Sequence, residues 1–229
     1  MSEKFAIEWA RIHKREFVRQ LIDEAGVESS ENPVGIFMAG LPGSGKTEFT
    51  KSLIKILGLS VVRLDMDDIA TQMERYDPKI ADVFRAGASI LLSREYDEVL
   101  KNKYDFVMDG TFGGKVAVEN VRRALAHGYQ VRIFYINQDP GLAWKYTVAR
   151  EKIEFRSIDR EGFISTYYKI FENLSGLNQF LGQHSVVDII IKDKNNRVKD
   201  WIRLTTIENI DKYVKKIYNK DELRKLLYE

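Results

Sequence analysis

The residues at positions 40–47 have the types and the spacing of a phosphate-binding loop. They read Gly-Leu-Pro-Gly-Ser-Gly-Lys-Thr and satisfy the pattern G-x-x-x-x-G-K-[ST] without a substitution. Gly43 and Gly45 can adopt backbone angles that other residues avoid, so successive amide N–H groups can surround a phosphate. Lys46 supplies a positive charge for the β- and γ-phosphates, and the Thr47 hydroxyl is a candidate ligand for Mg²⁺. The motif therefore predicts that ATP (or GTP) binds at Gly40, Leu41, Pro42, Gly43, Ser44, Gly45, Lys46 and Thr47.

Two carboxylates follow the second predicted strand. In Leu64-Asp65-Met66-Asp67-Asp68, Asp65 and Asp67 are two positions apart at the point where the strand ends, so both can face one site. Phosphoryl transfer requires Mg²⁺ to be held in place and an acceptor hydroxyl to lose its proton. Asp65 suits the first task through a metal-bound water, and Asp67 suits the second. The alternative is that these aspartates cap the next helix, which is the role we expect for Asp68.

The third predicted strand ends in Asp109-Gly110-Thr111. A carboxylate at the end of an apolar strand beside the phosphate-loop strand is where a Walker-B-type acid would lie. We therefore expect Asp109 at the substrate side of the site, with Gly110 and Thr111, which can approach a substrate closely. Lys115 is near enough in sequence to be a candidate for a substrate phosphate. The alternatives are an ordinary turn at 109–111 and a solvated lysine at 115.

A densely charged segment at 150–160 joins two predicted helices. A mobile segment that carries arginines and closes over the triphosphate would stabilise the negative charge of the transferred group. We assign this function to Arg150 and Arg156 in preference to Arg160. The alternative is a solvated surface turn, as most charged runs are.

Predicted strands alternate with predicted helices along the chain. This order indicates an α/β fold of the P-loop NTPase type, with a mainly parallel sheet of about five strands and helices on both faces. We expect a single domain over 1–229, with an N-terminal helix at about 3–25, a core at about 33–192, and a C-terminal hairpin and helix at about 193–229. Within these limits one long helix is predicted from Pro78 to Lys101, and one closing helix from Thr206 to Tyr228.

Composition excludes several classes of protein. The chain has 229 residues and a formal net charge of +2, which gives no support for a nucleic-acid partner or a membrane surface. It has no cysteine, so disulfides, iron–sulfur clusters and thiolate chemistry are excluded. The N-terminus lacks a signal-peptide core, and no window is apolar enough to cross a membrane, so we expect a cytoplasmic protein.

With these motifs in this order, the chain resembles the zeta-toxin family of P-loop kinases and, more distantly, shikimate and gluconate kinases. The resemblance covers about residues 33–192. It implies that Asp67 is the base toward a sugar hydroxyl, that Arg150 and Arg156 bind ATP, and that an antitoxin protein is a possible partner. It also implies a small-molecule acceptor, a UDP-N-acetylamino sugar that is phosphorylated at its 3′-hydroxyl. The chain departs from the family by Asp109 in place of a glutamate and by a closer spacing of the two arginines.

Two other functions stay open at this point. A polynucleotide end could be the acceptor, although no persuasive groove of aromatic and basic residues is present. A nucleotide-dependent switch or binding module could instead use the terminal helices, 3–25 and 206–228, as its interface. The paired carboxylates favour an enzyme, because a switch needs no base for an acceptor.

Overall fold

A six-stranded sheet forms the centre of the protein. The computed structural model describes residues 2–154, 158–177, 184–205, 210–213 and 218–228. In spatial order the strands run β2-β3-β1-β4-β5-β6. Their bounds in chain order are Val34–Ala39 (β1), Val62–Leu64 (β2), Phe106–Met108 (β3), Gln130–Asn137 (β4), Ser185–Lys192 (β5) and Val198–Leu204 (β6).

All neighbouring strands are parallel except β5 and β6, which form an antiparallel pair. Parallel strands place their carboxyl ends at one edge of a sheet, where ligands bind in open α/β folds. The phosphate loop follows β1, Asp65 follows β2 and Asp109 follows β3, so all three reach this edge. The predicted α/β fold is confirmed, and the hairpin strand β6 extends the predicted sheet to six strands.

Helices pack on both faces of the sheet. Phe37 and Ala39 of β1 belong to a core cluster with residues of α5 and α7, whereas Ile36 and Met38 pack against Phe49 of α2 on the other face. The helices are Glu3–Ala25 (α1), Lys46–Leu57 (α2), Met66–Thr71 (α3), Arg85–Asn102 (α4), Ala117–Ala126 (α5), Pro140–Glu154 (α6), Arg160–Gly176 (α7), Ile210–Tyr213 (α8) and Lys220–Tyr228 (α9).

Two predicted helices are interrupted. The predicted helix from Pro78 to Lys101 is a 3₁₀ helix, Pro78–Phe84, followed by α4. Ile80, inside the 3₁₀ segment, has non-helical angles (φ −127°, ψ 32°), so the backbone is kinked there. The predicted closing helix corresponds to α8 and α9, with 206–209 and 214–217 outside the described residues.

The N-terminal helix agrees with its predicted bounds. It begins after Ser2, whose hydroxyl accepts a hydrogen bond from the Phe5 N–H, and it ends at Gly26, which is left-handed (φ 58°). In the part of the chain that the structure describes, no helix combines the length and the apolarity needed to span a bilayer. The assignment of the whole chain to one domain stays a prediction.

Candidate active site

A cavity of about 780 Å³ lies at the carboxyl edge of the sheet. The phosphate loop, the segments after β2 and β3, and helix α6 all contribute to its walls. The sequence-predicted residues that line it are Pro42, Gly43, Gly45, Lys46, Thr47, Asp65, Asp67, Asp109, Gly110, Thr111 and Arg150. The structure thus brings together the four motifs that were identified separately along the chain.

The other predicted residues lie elsewhere or support the loop from behind. Leu41 and Ser44 are buried, and the Gly40 N–H donates a hydrogen bond to the Thr111 carbonyl, which ties the phosphate loop to the segment after β3. Lys115 is exposed and is not among the residues that line the cavity. Arg156 lies outside the described residues, so its predicted function stays a prediction.

Two glycines of the phosphate loop, Gly43 and Gly45, have backbone angles that other residues avoid. Gly43 (φ 75°) and Gly45 (φ 85°) both occupy the left-handed region, in which residues with a side chain are strained. A β-carbon on Gly43 would also overlap the Ala143 carbonyl and the Thr147 hydroxyl of α6. The loop therefore packs directly against the helix that carries Arg150.

Lys46 is the first residue of α2 and is nearly buried, with 8% of its surface exposed. Its Nζ atom donates a hydrogen bond of 2.7 Å to the Leu41 carbonyl within the loop. Burial lowers the pKa of Lys46 from 10.5 to about 8; Arg150 also lowers it, while Asp109 opposes the change. A bound phosphate would raise the pKa of Lys46 again, because it would add negative charge beside the ammonium group.

Asp65 is the N-cap of α3. Its Oδ1 accepts hydrogen bonds from the backbone N–H groups of Asp67 (2.9 Å) and Asp68 (3.5 Å). The expectation that Asp68 caps this helix is therefore wrong: the cap is Asp65, and Asp68 lies in the first turn. Asp67 is exposed and lines the cavity, as a group that must reach a substrate should.

Arg63 links three carboxylates around the cavity and was missed in the sequence. One of its terminal nitrogens lies 2.6 Å from Asp65 Oδ2 and 3.0 Å from Asp109 Oδ2, and the other pairs with Asp68. Burial would lower the pKa of Arg63, but these carboxylates outweigh it and raise the pKa above its ordinary value. The signal was a charged residue inside the short apolar strand Val61-Val62-Arg63-Leu64, directly before the paired aspartates.

Arg63 does not fully balance the charge of Asp65. Burial, and then the neighbouring carboxylates of Asp68 and Asp109, raise the pKa of Asp65 from 3.8 to about 6, while Arg63 acts in the opposite direction. Asp65 is 8% exposed. This end of the cavity therefore has an excess of negative charge, which a cation could neutralise.

The oxygen ligands present suit Mg²⁺ bound together with a nucleotide. Within the described ranges, no three His, Asp or Glu side chains form a ready metal-binding group. Mg²⁺ usually binds one or two protein oxygens and takes its other ligands from phosphates and water. Thr47 and Asp65 both line the cavity, and both Asp65 oxygens already accept hydrogen bonds. Thr47 and Asp65 therefore fit as the residues that would hold the metal.

Two residues at the other side of the loop, Lys192 and Asn196, were also missed in the sequence. Lys192 is the last residue of β5, and its Nζ donates to the Ser44 carbonyl at 2.9 Å and to Asn196 Oδ1 at 2.8 Å. The available signal was a lysine directly after the apolar run Val186–Ile191, at the edge where the ligand binds. Asn196 itself lines the cavity.

Comparison with known proteins assigns the chain to a class of P-loop proteins, the zeta toxins. The family model described as "Zeta toxin" matches residues 19–205, and the chain belongs to this family. The predicted family is confirmed. No curated protein sequence matches the chain.

Solved structures share the fold at low sequence identity. The chain is similar to a protein of the PezAT chromosomal toxin–antitoxin system of Streptococcus pneumoniae, with a TM-score of 0.67 and 16% identity over 96% of this chain and 92% of that one. It is also similar to a chain of the AvrRxo1-ORF1:AvrRxo1-ORF2 complex, with a TM-score of 0.59 and 11% identity over 98% of this chain and 78% of that one. At these identities the likeness concerns the fold.

Proposed function

We propose that the protein is a Mg²⁺-dependent ATP phosphotransferase that transfers the γ-phosphoryl group to a hydroxyl of a small molecule. One observation carries the proposal: the phosphate loop with Lys46, and the exposed carboxylate of Asp67, line the same cavity. A nucleotide-binding module needs the first of these, whereas a kinase needs both. Membership of the zeta-toxin family supports the same conclusion.

Each side chain has a defined task in this reaction. The loop amides and Lys46 bind the β- and γ-phosphates, and Arg150 stabilises the negative charge that develops on the transferred group. Asp67 accepts the proton of the acceptor hydroxyl as the oxygen attacks phosphorus. When bound by Thr47 and Asp65, Mg²⁺ supplies positive charge to the phosphate oxygens.

The cavity wall formed by residues 76–85 is the expected acceptor side. It includes Tyr76, Lys79 and Arg85, which are an aromatic ring and two cations. The side chains of Lys79 and Arg85 are both largely exposed, and Arg85 forms an ion pair with Asp82 at 3.6 Å. An aromatic surface with two cations supports an acceptor that carries a base and phosphates, such as a UDP-N-acetylamino sugar.

The test is phosphoryl transfer with γ-labelled ATP. UDP-N-acetylglucosamine is the first acceptor, followed by a pool of cell metabolites, with the products identified by mass spectrometry. The variant Asp67→Asn should lower turnover at least about a hundredfold, because it removes the base but keeps the shape. Asp200→Asn is the matched control, since Asp200 is exposed on β6 and accepts a hydrogen bond from the adjacent Trp201 N–H.

The result distinguishes the acceptor from the reaction. Transfer to a different hydroxyl compound would support the proposed kinase activity and contradict the sugar nucleotide as its acceptor. Nearly normal turnover by the Asp67→Asn variant would refute the assignment of Asp67 as the base. Wild-type protein that binds ATP yet modifies no metabolite would contradict the kinase and favour a binding module.

We also propose a protein antitoxin as the partner. The support is the family and the likeness to a protein of a toxin–antitoxin system. Expression of the chain alone should arrest the growth of a bacterial host, and Asp67→Asn should relieve the arrest. Normal growth with the wild-type chain well expressed would contradict this proposal.

A further inference from the structure

The phosphate loop is held from outside by a lysine of a distant strand. Lys192, at the end of β5, donates a hydrogen bond of 2.9 Å to the carbonyl of Ser44, in the middle of the loop. The contact joins residues 148 positions apart in the chain. A β-carbon on Gly45 would overlap Lys192 Nζ, so the ammonium group lies directly against the loop backbone.

This contact fixes the direction of a neighbouring amide. The Ser44 carbonyl and the Gly45 N–H belong to one peptide group, and the described residues contain no cis peptide bond. In a planar trans peptide the carbonyl and the N–H point in opposite directions. Because the Ser44 carbonyl points toward Lys192, the Gly45 N–H points away from it, and Gly45 lines the cavity.

Lys192 is itself held in place. Its Nζ also donates to Asn196 Oδ1 at 2.8 Å, and the same oxygen accepts a second hydrogen bond of 3.0 Å from Gln138 Nε2. Asn196 lies in the left-handed region (φ 62°), in a turn closed by a hydrogen bond from its N–H to the Asp193 carbonyl. Gln138 is buried. These contacts give the lysine one orientation, toward the loop.

We propose that Lys192 is a positioning residue that aims the Gly45 N–H at the β-phosphate of the bound nucleotide. The proposal rests on the proposed nucleotide function, and it assigns Lys192 an effect on phosphate binding that is separate from the direct charge of Lys46. The Lys192 ammonium acts on the loop backbone, through the Ser44 carbonyl. Asn196 and Gln138 act on Lys192.

Nucleotide titrations test this assignment without the acceptor. Lys192→Met should weaken MgADP binding about tenfold, because one amide of the phosphate cradle loses its fixed orientation. Binding of AMP, which has no β-phosphate, should change by less than about twofold. Lys192→Arg should restore most of the MgADP affinity, and Asn196→Ala should lower it in the same direction as Lys192→Met.

Two controls separate this effect from general damage and from failure of the proposed function. Lys194→Ala removes an exposed lysine of the same hairpin and should leave binding unchanged. Thermal unfolding of each variant without nucleotide reports on folding. Two outcomes would refute the role of Lys192 without contradicting the nucleotide site. In the first, Lys192→Met lowers the affinities for MgADP and AMP equally. In the second, Lys192→Met leaves the MgADP affinity unchanged while Lys46→Ala abolishes binding. Wild-type protein that binds no nucleotide would refute both.

Discussion

The burial of Lys46 leads to a prediction that has opposite signs with and without nucleotide. In the nucleotide-free protein the ammonium group is nearly buried, and the Leu41 carbonyl is its hydrogen-bond acceptor. Replacing it with methionine keeps most of the side-chain volume and removes the charge. We therefore expect Lys46→Met to raise the free energy of unfolding of the nucleotide-free protein and to abolish its stabilisation by nucleotide.

The size of the effect follows from the pKa. A change from 10.5 to about 8 corresponds to a cost of roughly 3 kcal/mol for holding the charged form in the folded state. Loss of the hydrogen bond to the Leu41 carbonyl offsets about 1 kcal/mol. The expected net gain for Lys46→Met at neutral pH is therefore about 2 kcal/mol.

The pH dependence has a defined sign. Because the folded pKa lies below the unfolded one, the charged lysine lowers stability at pH values below about 8. Between about 8 and 10.5 the folded protein has lost this proton while the unfolded chain retains it, so the wild type becomes relatively more stable as pH rises. The advantage of Lys46→Met should shrink across this interval.

Chemical denaturation at neutral pH and near pH 10 measures the difference. At a hundredfold excess over its dissociation constant, MgADP should stabilise the wild type by about 2–3 kcal/mol. It should leave the stability of Lys46→Met unchanged. With MgADP the wild type should therefore be the more stable of the two proteins. Lys55→Met, an exposed position of α2, is the control. A nucleotide-free Lys46→Met variant that is less stable than the wild type at neutral pH would refute the reasoning.

Two further predictions concern buried carboxylates of opposite character. Asp65→Asn should stabilise the nucleotide-free protein by about 1–2 kcal/mol above pH 6, because its raised pKa means that ionisation opposes folding, and asparagine can still cap α3. The gain should vanish near pH 4, where the carboxyl is protonated, and denaturation curves at both pH values test it. Asp188→Asn should destabilise the protein by about 3 kcal/mol, because this fully buried carboxylate accepts hydrogen bonds from Trp201, Arg203 and Arg132. Burial would raise the pKa of Asp188, but the three donors lower it, so the loss should be complete above pH 4 and should shrink as the pH falls below that value; an equal loss at low pH would contradict this account.

The parts of the site that were predictable share one property: each consists of residues that are close together in the sequence. The phosphate loop and the paired aspartates are local patterns, and each follows a strand that an apolar run identifies. Parallel strands then place these loops at one edge of the sheet without further information. The grouping of Lys46, Asp67 and Asp109 around one cavity follows from topology, and the structure shows that grouping.

The parts that were not predictable depend on contacts between distant strands. Arg63 reaches Asp109 because β2 pairs with β3 in a register that sets Arg63 beside Val107 and Leu64 beside Met108. Lys192 reaches Ser44 only because β5 lies two strands from β1. A single sequence gives the order of strands along the chain but not their order in the sheet. A local signal can therefore single out Arg63 or Lys192, but it cannot identify the residue that each one contacts. The break at Ile80 is a case in which the local pattern was helical and the backbone differs.

The charged groups of the site pair with one another and with the loop backbone. Lys46 donates a hydrogen bond to the Leu41 carbonyl of the loop, and Arg63 pairs with Asp65 and Asp109. These partners do not fully compensate the two charges, because the pKa of Lys46 stays low and that of Asp65 stays high. A bound Mg²⁺–nucleotide complex would correct both at once, since phosphate favours the charged lysine and the metal favours the ionised aspartate. The free energy that these two charges cost in folding should therefore be recovered on binding, and a variant that stabilises the protein at either residue should bind the nucleotide more weakly.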